Sequence, residues 1–352
     1  MNYLSVCSGI EAATVAWHHM GWNPIAFSEI EKFPSQVLAH HYPNVPNLGN
    51  MTKYKEWNIN DPIGLLVGGT PCQSFSVAGL RKGLDDPRGN LALTYLGILD
   101  KFRPKWCVWE NVPGVLSSGG GRDFGAFLGA LAELGYGFAY RVLDAQNFGV
   151  AQRRRRVFVV GYLGDWRPAA EVLFEPESLS GNIKQSRKKG QETAKCLTTR
   201  IRNDFETESF VYENHGTDSR IKEIAISPTV TARWGTGGNN VPLAMQGNLI
   251  GRDKGGPQGI GVSESNTMYT LTKTDIHAVS TDMVVRRLTP TECERLQGFP
   301  DGYTDIRLND KKTPDGPRYK AMGNSMAVPV MRWIGERINQ HEQRGMEKHL
   351  RS

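Results

Sequence analysis

The chain has 352 residues, enough for two domains and a sizeable hydrophobic core. Hydrophobic residues make up 39% and charged residues 22% of the sequence, a profile typical of a soluble globular protein. The net charge of +6 suits a polyanionic partner without requiring one. The five cysteines include no C-x-x-C pair, which disfavours a disulfide framework and a zinc site. The N-terminus lacks the pattern of a signal peptide, and no apolar run reaches the ~18 residues of a membrane span.

Short β-rich runs alternate with helical patterns up to about residue 165. We predict strands at 3–7, 24–28, 65–67, 106–109, 140–143 and 156–162, and helices at 10–20, 33–41, 91–102 and 124–134. This alternation predicts a doubly wound α/β fold, a mostly parallel sheet with helices on both faces. Ligands of such sheets bind at the carboxyl ends of the strands.

The composition changes near residue 170. Residues 175–285 are rich in Gly, Asn, Ser and Thr and carry a weak repeat at 196–200, 229–233 and 270–273. Helical order returns with Thr289-Pro290-Thr291-Glu292, a capping box, and a last helix is predicted at 327–339. We therefore expect a first domain at 1–170, an inserted β/loop-rich domain at 171–285, a segment 286–345 that returns to the first domain, and a tail at 346–352.

Two chemically suited residues lie at the predicted carboxyl edge of the sheet. Cys72 follows the strand 65–67 after Gly-Gly-Thr-Pro, and a glycine-rich, charged loop after it is a candidate lid. Glu110 ends the strand 106–109, where a carboxyl can act as a general acid or bind a base edge. Taken alone, each has a structural alternative: a buried cysteine, or a capping or solvated glutamate.

Four consecutive arginines, Arg153 to Arg156, lead into an apolar strand. In an extended backbone Arg154 and Arg156 share one face, and Arg153 and Arg155 share the other. Because buried guanidinium groups need anionic partners, we expect at least two of them to face a ligand. The alternative is a solvated charge run.

Ser8-Gly9-Ile10-Glu11 follows the first strand, and Glu29 comes about 20 residues after that turn. A strand, a glycine turn, a helix start and a later acidic residue are typical of nucleoside binding, in which the carboxylate binds ribose hydroxyls. The full G-x-G-x-x-G pattern is missing. A cofactor with a ribose but without a pyrophosphate therefore suits the site better.

These motifs, in this order, resemble the DNA (cytosine-5) methyltransferase family of phages and bacteria. The matching residues are Ser8-Gly9, Glu29, Pro71-Cys72-Gln73, Glu110-Asn111-Val112, Gln152-x-Arg154-x-Arg156, the run from Arg287 to Pro300, and Gly323-Asn324-Ser325. They cover about residues 1–165 and 285–340, and the middle region resembles the variable target-recognition domain of that family. The resemblance implies a Rossmann-like fold of the S-adenosylmethionine-dependent methyltransferases.

The resemblance also implies a reaction: transfer of a methyl group from S-adenosylmethionine to C5 of a cytosine flipped out of double-stranded DNA. Cys72 would add to C6 as a thiolate, Glu110 would contact N3 and the amino group, and Arg154 and Arg156 would position the nucleotide. The implied cofactor-binding residues are Cys7, Ser8, Gly9, Ile10, Glu29, Ile30, Asn50, Met51, Pro71, Leu91, Asn324 and Ser325. No metal is expected.

Three residues depart from the family pattern. Cys7 replaces an aromatic residue, Glu11 replaces a glycine, and Asn50 replaces the aspartate that usually binds the adenine amine. The amide oxygen of Asn50 can still accept that hydrogen bond, so we expect weaker cofactor binding and an unchanged reaction class.

The expected partner is duplex DNA, with no membrane association, and the expected form is a monomer in the cytoplasm of a bacterial or phage-infected cell. A run of Lys and Arg within 184–202 is a candidate phosphate contact, with a solvated loop as the alternative. Two other functions remain open: the same chemistry on transfer RNA, and a non-catalytic DNA-binding regulator. The long insertion favours DNA, and the intact Cys72, Glu110 and arginine pair favour catalysis.

Overall fold

A computed structural model describes residues 1–71, 91–174, 288–308 and 311–351, and the backbones of short strands between 175 and 287. The chain forms two compact units. One is built from Met1–Asn182 with Val241–Ser352, and the other is Ile183–Asn240. The domain bounds at 171 and 285 stay a prediction.

A six-stranded sheet lies in the first unit. Its strands are β1 (Asn2–Val6), β2 (Asn23–Ser28), β3 (Leu65–Gly69), β4 (Trp106–Asn111), β5 (Tyr136–Asp144) and β6 (Arg155–Leu163). Their order is β2-β1-β3-β4-β6-β5, and β1 to β4 run parallel. Strand β6 runs antiparallel to both of its neighbours. The predicted, mostly parallel α/β sheet is therefore confirmed, with β6 reversed.

Shorter strands pair outside this sheet. They are β7 (Val211–His215), β8 (Asp218–Lys222), β9 (Leu243–Met245), β10 (Val262–Ser263), β11 (Ala278–Thr281), β12 (Val284–Arg287), β13 (Arg307–Leu308) and β14 (Lys311–Lys312). Strands β7 and β8 form a hairpin in the second unit, and β10-β9-β11-β12 form an antiparallel sheet in the first. The repeat segments 196–200, 229–233 and 270–273 and the basic run 184–202 lie outside the described residues.

The helices are α1 (Ala12–Trp17), α2 (Lys32–His41), α3 (Leu91–Phe102), α4 (Arg122–Glu133), α5 (Arg167–Leu173), α6 (Pro290–Gln297), α7 (Asp315–Asn324) and α8 (Val328–Arg351). The predicted capping box is present at the start of α6, where Thr289 and Glu292 bond reciprocally. Two helices, α5 and α7, were not predicted from the sequence. Helix α5 is short, and α7 begins with Asp-Gly-Pro and has little apolar periodicity. No helix in the described part of the chain has the length and apolar character to cross a bilayer.

Two hydrophobic clusters cover the two faces of the sheet. Alternate residues of β3 enter different clusters, Leu65 and Val67 one and Leu66 the other. Helices α1, α5 and α8 contribute to the first cluster, and α3 and α4 to the second. The indole Nε1 of Trp17 donates to the carbonyl of Met331 at 2.7 Å, which ties α8 to α1. Both faces of the sheet are therefore buried, as the apolar runs predict.

A buried ion pair fixes the segment after α6. Glu294 and Arg318 are almost fully buried and approach to 3.2 Å. The Glu294 carboxylate also accepts from the backbone N–H groups of Gly302 at 2.7 Å and Thr304 at 2.9 Å. The guanidinium of Arg318 donates to the Thr304 hydroxyl at 2.9 Å. The loop between α6 and α7 is thus held by buried charged groups, and loss of either partner would leave the other charge unpaired.

We expect Arg318→Met to lower the free energy of unfolding by about 3 kcal/mol, because it leaves the Glu294 carboxylate buried without its cation. Urea denaturation of the full chain measures the change. The matched control is Arg295→Met on the same region of chain, which breaks the exposed pair with Asp301 and should change stability little. Equal losses in the two variants would contradict the assignment.

Candidate active site

A cleft opens at the carboxyl edge of the sheet. Its walls come from the ends of β1, β3 and β4, from the start of α1, and from the end of α7 with the residues after it. The residues that line it are Ser5, Cys7, Ser8, Gly9, Glu11, Ala12, Ala13, Val67, Gly69, Glu110, Asn324, Ser325 and Met326. The cleft therefore lies where parallel strands end, the usual position of a ligand site in this architecture.

The turn between β1 and α1 forms one wall. Cys7, Gly9 and Glu11 have positive φ angles of 49°, 56° and 67°. The N–H of Gly9 donates to the Glu29 carboxylate at 2.8 Å, and the N–H of Glu31 donates to it at 2.7 Å. The predicted glycine turn and acidic residue are therefore in direct contact, although they follow different strands.

The candidate cofactor residues separate into groups. Cys7, Ser8, Gly9, Asn324 and Ser325 line the cleft. Beside Glu29, the side chain of Ile30 is 71% exposed and available to lie against a planar base.

Other candidates are already engaged by the protein. The side chains of Ile10 and Met51 are buried in the hydrophobic clusters, so their side chains do not face the cleft. The amide oxygen of Asn50 caps the 3-10 turn Met51–Glu56 by accepting from the N–H and hydroxyl of Thr52, each at 3.0 Å. Any bond to an adenine amine would share an oxygen that already has two donors.

Glu110 and Arg156 form an ion pair at the cleft. Arg156 Nε lies 3.1 Å from Glu110 Oε1, and the two side chains are 15% and 12% exposed. Burial lowers the pKa of the Arg156 guanidinium, and the Glu110 charge opposes that change. A carboxylate held this way keeps a fixed orientation while one of its oxygens remains able to bind a ligand.

Arg154 has a different environment. It is 3% exposed and donates to the carbonyls of Ser325 at 2.7 Å and Gly323 at 3.4 Å. Burial, and next the Arg156 charge, lowers the pKa of Arg154 to about 9. Arg153 and Arg155 are exposed, so the predicted alternation of the four arginines is present. Arg154 thus connects the start of β6 to the segment that supplies Asn324 and Ser325 to the cleft.

Cys72 lies outside the described residues, as does the candidate lid that follows it, and Pro71 and Leu91 border that gap. The chain that leads to Cys72 is well anchored. The hydroxyl of Thr70 accepts from Trp109 Nε1 at 2.9 Å, and its carbonyl accepts from Asn111 Nδ2 at 3.0 Å. Strand β4 therefore fixes the direction in which the chain leaves β3.

Several residues that line the cleft were not predicted as site residues, among them Gly69 and Met326. A Cβ atom on Gly69 would lie 2.8 Å from Glu110 Oε2 and 3.2 Å from the methyl carbon of Met326. The Gly68-Gly69 pair before Pro71 was the available signal, since glycine in a strand often marks a close approach.

The donor set fits a nucleoside cofactor: a carboxylate after β2, an exposed apolar side chain beside it, and a glycine turn with open space at Gly9. In the described residues no three His, Cys, Asp or Glu side chains gather as a metal site. Fold and site together define a doubly wound α/β protein whose cleft offers the groups of a nucleoside site next to an acid–arginine pair.

The chain matches the C-5 cytosine-specific DNA methylase family over residues 1–340 and belongs to that family. The resemblance inferred from the motif order is confirmed. A relative in Escherichia phage P1, named DNA N-6-adenine-methyltransferase, is 38% identical over 96% of this chain, which spans 61% of that protein's length. The Type II methyltransferase M.SsoII of Shigella sonnei is 28% identical over 95% of this chain and 79% of its own.

Two solved structures share the fold. The S. pombe Dnmt2 methyltransferase has a TM-score of 0.57 and 15% identity, covering 97% of this chain and 98% of its own. A putative DNA modification methyltransferase encoded within an E. coli prophage has a TM-score of 0.56 and 17% identity, covering 97% and 99%. These likenesses support the methyltransferase fold class.

We expect Gly69→Ala to lower methyl transfer strongly, by roughly 100-fold, because the added Cβ displaces the Glu110 carboxylate. The matched control is Gly129→Ala in α4, where the space around the glycine is open and alanine favours the helix. Initial rates of methyl transfer and the melting temperature are measured for both. Full activity in a folded Gly69→Ala variant would show that the carboxylate need not occupy this position.

Proposed function

We propose that this chain transfers a methyl group from S-adenosylmethionine to C5 of a cytosine in duplex DNA, with Cys72 as the nucleophile. The observation that carries the proposal is the Glu110–Arg156 pair. It lies in the same cleft as the glycine turn, beside the strand end that leads to Pro71 and Cys72. Family membership supports cytosine as the acceptor.

C5 of cytosine is a weak nucleophile. The reaction therefore requires a second nucleophile that adds to the ring and activates C5. The Cys72 thiolate forms a bond to C6, and the ring electrons then move to C5, which forms a bond to the methyl group. When bound, S-adenosylmethionine would supply that methyl group from its sulfonium, whose sulfur–methyl bond would break and leave a neutral thioether. The C5 proton then leaves to water, its electron pair restores the C5–C6 double bond, and the C6–S bond breaks to regenerate the thiolate.

Glu110 stabilises a proton on ring N3, and this proton neutralises the negative charge that develops on the ring during attack at C6. The free oxygen of Glu110 would accept from the protonated N3 and from the exocyclic amino group, while Arg156 holds the other oxygen at 3.1 Å. Arg154 acts as a positioning residue, since its guanidinium binds the backbone on either side of Asn324. The target base has to leave the duplex stack to reach these groups, at a cost of a few kcal/mol.

The other described cysteines are poor candidates for the nucleophile. Burial raises the pKa of each of Cys7, Cys107 and Cys293 to about 12, so their thiolates are rare at neutral pH. Cys107 and Cys293 also lie in the hydrophobic clusters. A reactive cysteine needs the opposite environment, partial exposure near positive charge, which the strand end before Cys72 can offer beside Arg156.

Duplex DNA that carries 5-fluorocytosine at a target site should trap the parent protein covalently, because fluorine cannot leave C5 as a proton does. Cys72→Ser should abolish the trap and lower methyl transfer by roughly 1,000-fold or more. Denaturing gel electrophoresis and peptide mass spectrometry locate the adduct. The control Cys293→Ala should retain the trap. An adduct at another residue, or a trap that persists in Cys72→Ser, would contradict the proposal.

A second function, methylation of adenine N6, deserves a direct test because the phage P1 relative carries that activity in its name. An exocyclic amine can attack the methyl group directly and needs no cysteine adduct. This chain spans 61% of that relative, so the name also refers to sequence that this chain does not match. Nucleoside mass spectrometry after reaction with duplex DNA or transfer RNA shows which base is methylated and in which nucleic acid. N6-methyladenine, or modification of RNA alone, would contradict cytosine methylation of DNA.

We further propose that residues 171–285 choose the target sequence. The support is their polar, glycine-rich composition, with a separate compact unit at Ile183–Asn240. Replacing them by the corresponding segment of the Shigella sonnei relative should transfer the specificity of that enzyme, because the catalytic cleft lies in residues outside the segment. Bisulfite sequencing reads the outcome, with the reverse exchange as control. An unchanged target sequence in an active chimera would refute the assignment.

A further inference from the structure

Glu11 places a carboxyl group in the wall of the cleft, at a position that the proposed methyl transfer does not use. The residue is 1% exposed and precedes α1 in a left-handed conformation. It lines the same cleft as Glu110 and Asn324. In the described part of the chain it pairs with no lysine or arginine. A buried carboxylate without a cation is costly, so such a group either takes up a proton or binds a ligand that brings a positive charge.

Three hydrogen bonds hold the carboxyl group. The Ser5 hydroxyl donates to one oxygen at 2.8 Å. The hydroxyl and the N–H of Thr14 donate to the other at 3.1 and 3.3 Å. These neutral donors orient the carboxyl group, but they do not cancel its charge.

The titratable groups around Glu11 supply no positive charge. Tyr3, Tyr42 and Tyr303 face it from β1, from the end of α2 and from the loop after α6, and burial raises the pKa of each above its usual range. These hydroxyls are neutral at physiological pH. Glu29 adds a negative charge from the end of β2. The charges in this wall of the cleft therefore favour binding of a cation.

Burial raises the pKa of the Glu11 carboxyl to about 7, the hydrogen bonds from Ser5 and Thr14 oppose that rise, and Glu29 adds to it. Near neutral pH the protonated and ionised forms are thus present in similar amounts. A cation bound in the cleft favours the ionised form and lowers this pKa. Binding of the cation must then strengthen as the pH rises through about 7.

We propose that Glu11 recognises the sulfonium charge of S-adenosylmethionine and so makes the cleft prefer the methyl donor over its uncharged thioether product, S-adenosylhomocysteine. The inference rests on the proposed function, which places S-adenosylmethionine in this cleft. The donor and the product share their ribose, adenine and amino acid groups and differ in the methyl group and its positive charge. A carboxylate near the sulfur therefore acts on one of them and leaves contacts to the shared groups unchanged.

Titration calorimetry of the full chain with each ligand, at pH 6, 7 and 8, tests the inference without a turnover assay. We expect affinity for S-adenosylmethionine relative to S-adenosylhomocysteine to rise by up to about 10-fold over this range, the effect of a pKa change of about one unit. Glu11→Gln should remove this rise and lower the preference for the donor. Buffers of different ionisation enthalpy should show proton release on binding to the parent and none from this group in the variant.

Two further variants separate charge from folding. Ser5→Ala keeps the carboxyl group but removes a donor that stabilises its ionised form, so the pH at which donor binding strengthens should move upward. Ile30→Ala removes an uncharged contact on the adenine side and should weaken both ligands by the same factor. The ligands themselves titrate identically with the parent and with each variant. The ratio of the parent's affinity to the variant's affinity therefore does not depend on ligand titration.

Two results would overturn the inference while the proposed function stands. One is an unchanged preference for the donor in Glu11→Gln, and the other is an equal loss for both ligands, which would point to the shared ammonium group or to a structural role. Failure of the parent to bind either ligand would instead overturn the proposed cofactor. The outcomes of the two proposals are therefore distinguishable.

Discussion

The site depends on the direction of one strand. Because β6 runs antiparallel to β4, it begins at the edge where the parallel strands end. The register pairs Asn111 with Val157, so the last residues of β4 lie beside the first residues of β6. This is why Arg156 reaches the Glu110 carboxylate. A parallel β6 would place the arginines at the opposite edge of the sheet, far from the glycine turn.

The site also depends on contacts between residues that are far apart in the sequence. Asn324 ends α7 and Ser325 follows it, and both line the cleft. The Arg154 guanidinium fixes this part of the chain through the carbonyls of Gly323 and Ser325. The buried side of α8 continues the attachment through Trp17 and Met331. The charged groups in the site are thus oriented by backbone contacts that are themselves buried and resistant to solvent.

Local patterns predicted much of this arrangement. Apolar runs indicated all six strands of the main sheet, and period-two alternation indicated that Arg154 and Arg156 share a face. Helix α7 was missed because its stability comes from tertiary contacts, among them the buried Arg318, and not from its own propensity. The carbonyls that accept from Arg154 could not be predicted either, because they lie far from Arg154 in the sequence. The sequence pattern around Asn50 also gave no indication that its amide oxygen would cap the following 3-10 turn.

The contribution of the C-terminal segment to the cleft has a consequence for the newly made protein. The ribosome adds ~5–20 residues per second, so the strands of the main sheet emerge on the order of 10 s before Asn324 and Ser325 do. During that interval the nascent chain lacks one wall of its ligand site. A translation product that stops before residue 324 therefore lacks the wall of the cleft that Asn324 and Ser325 form.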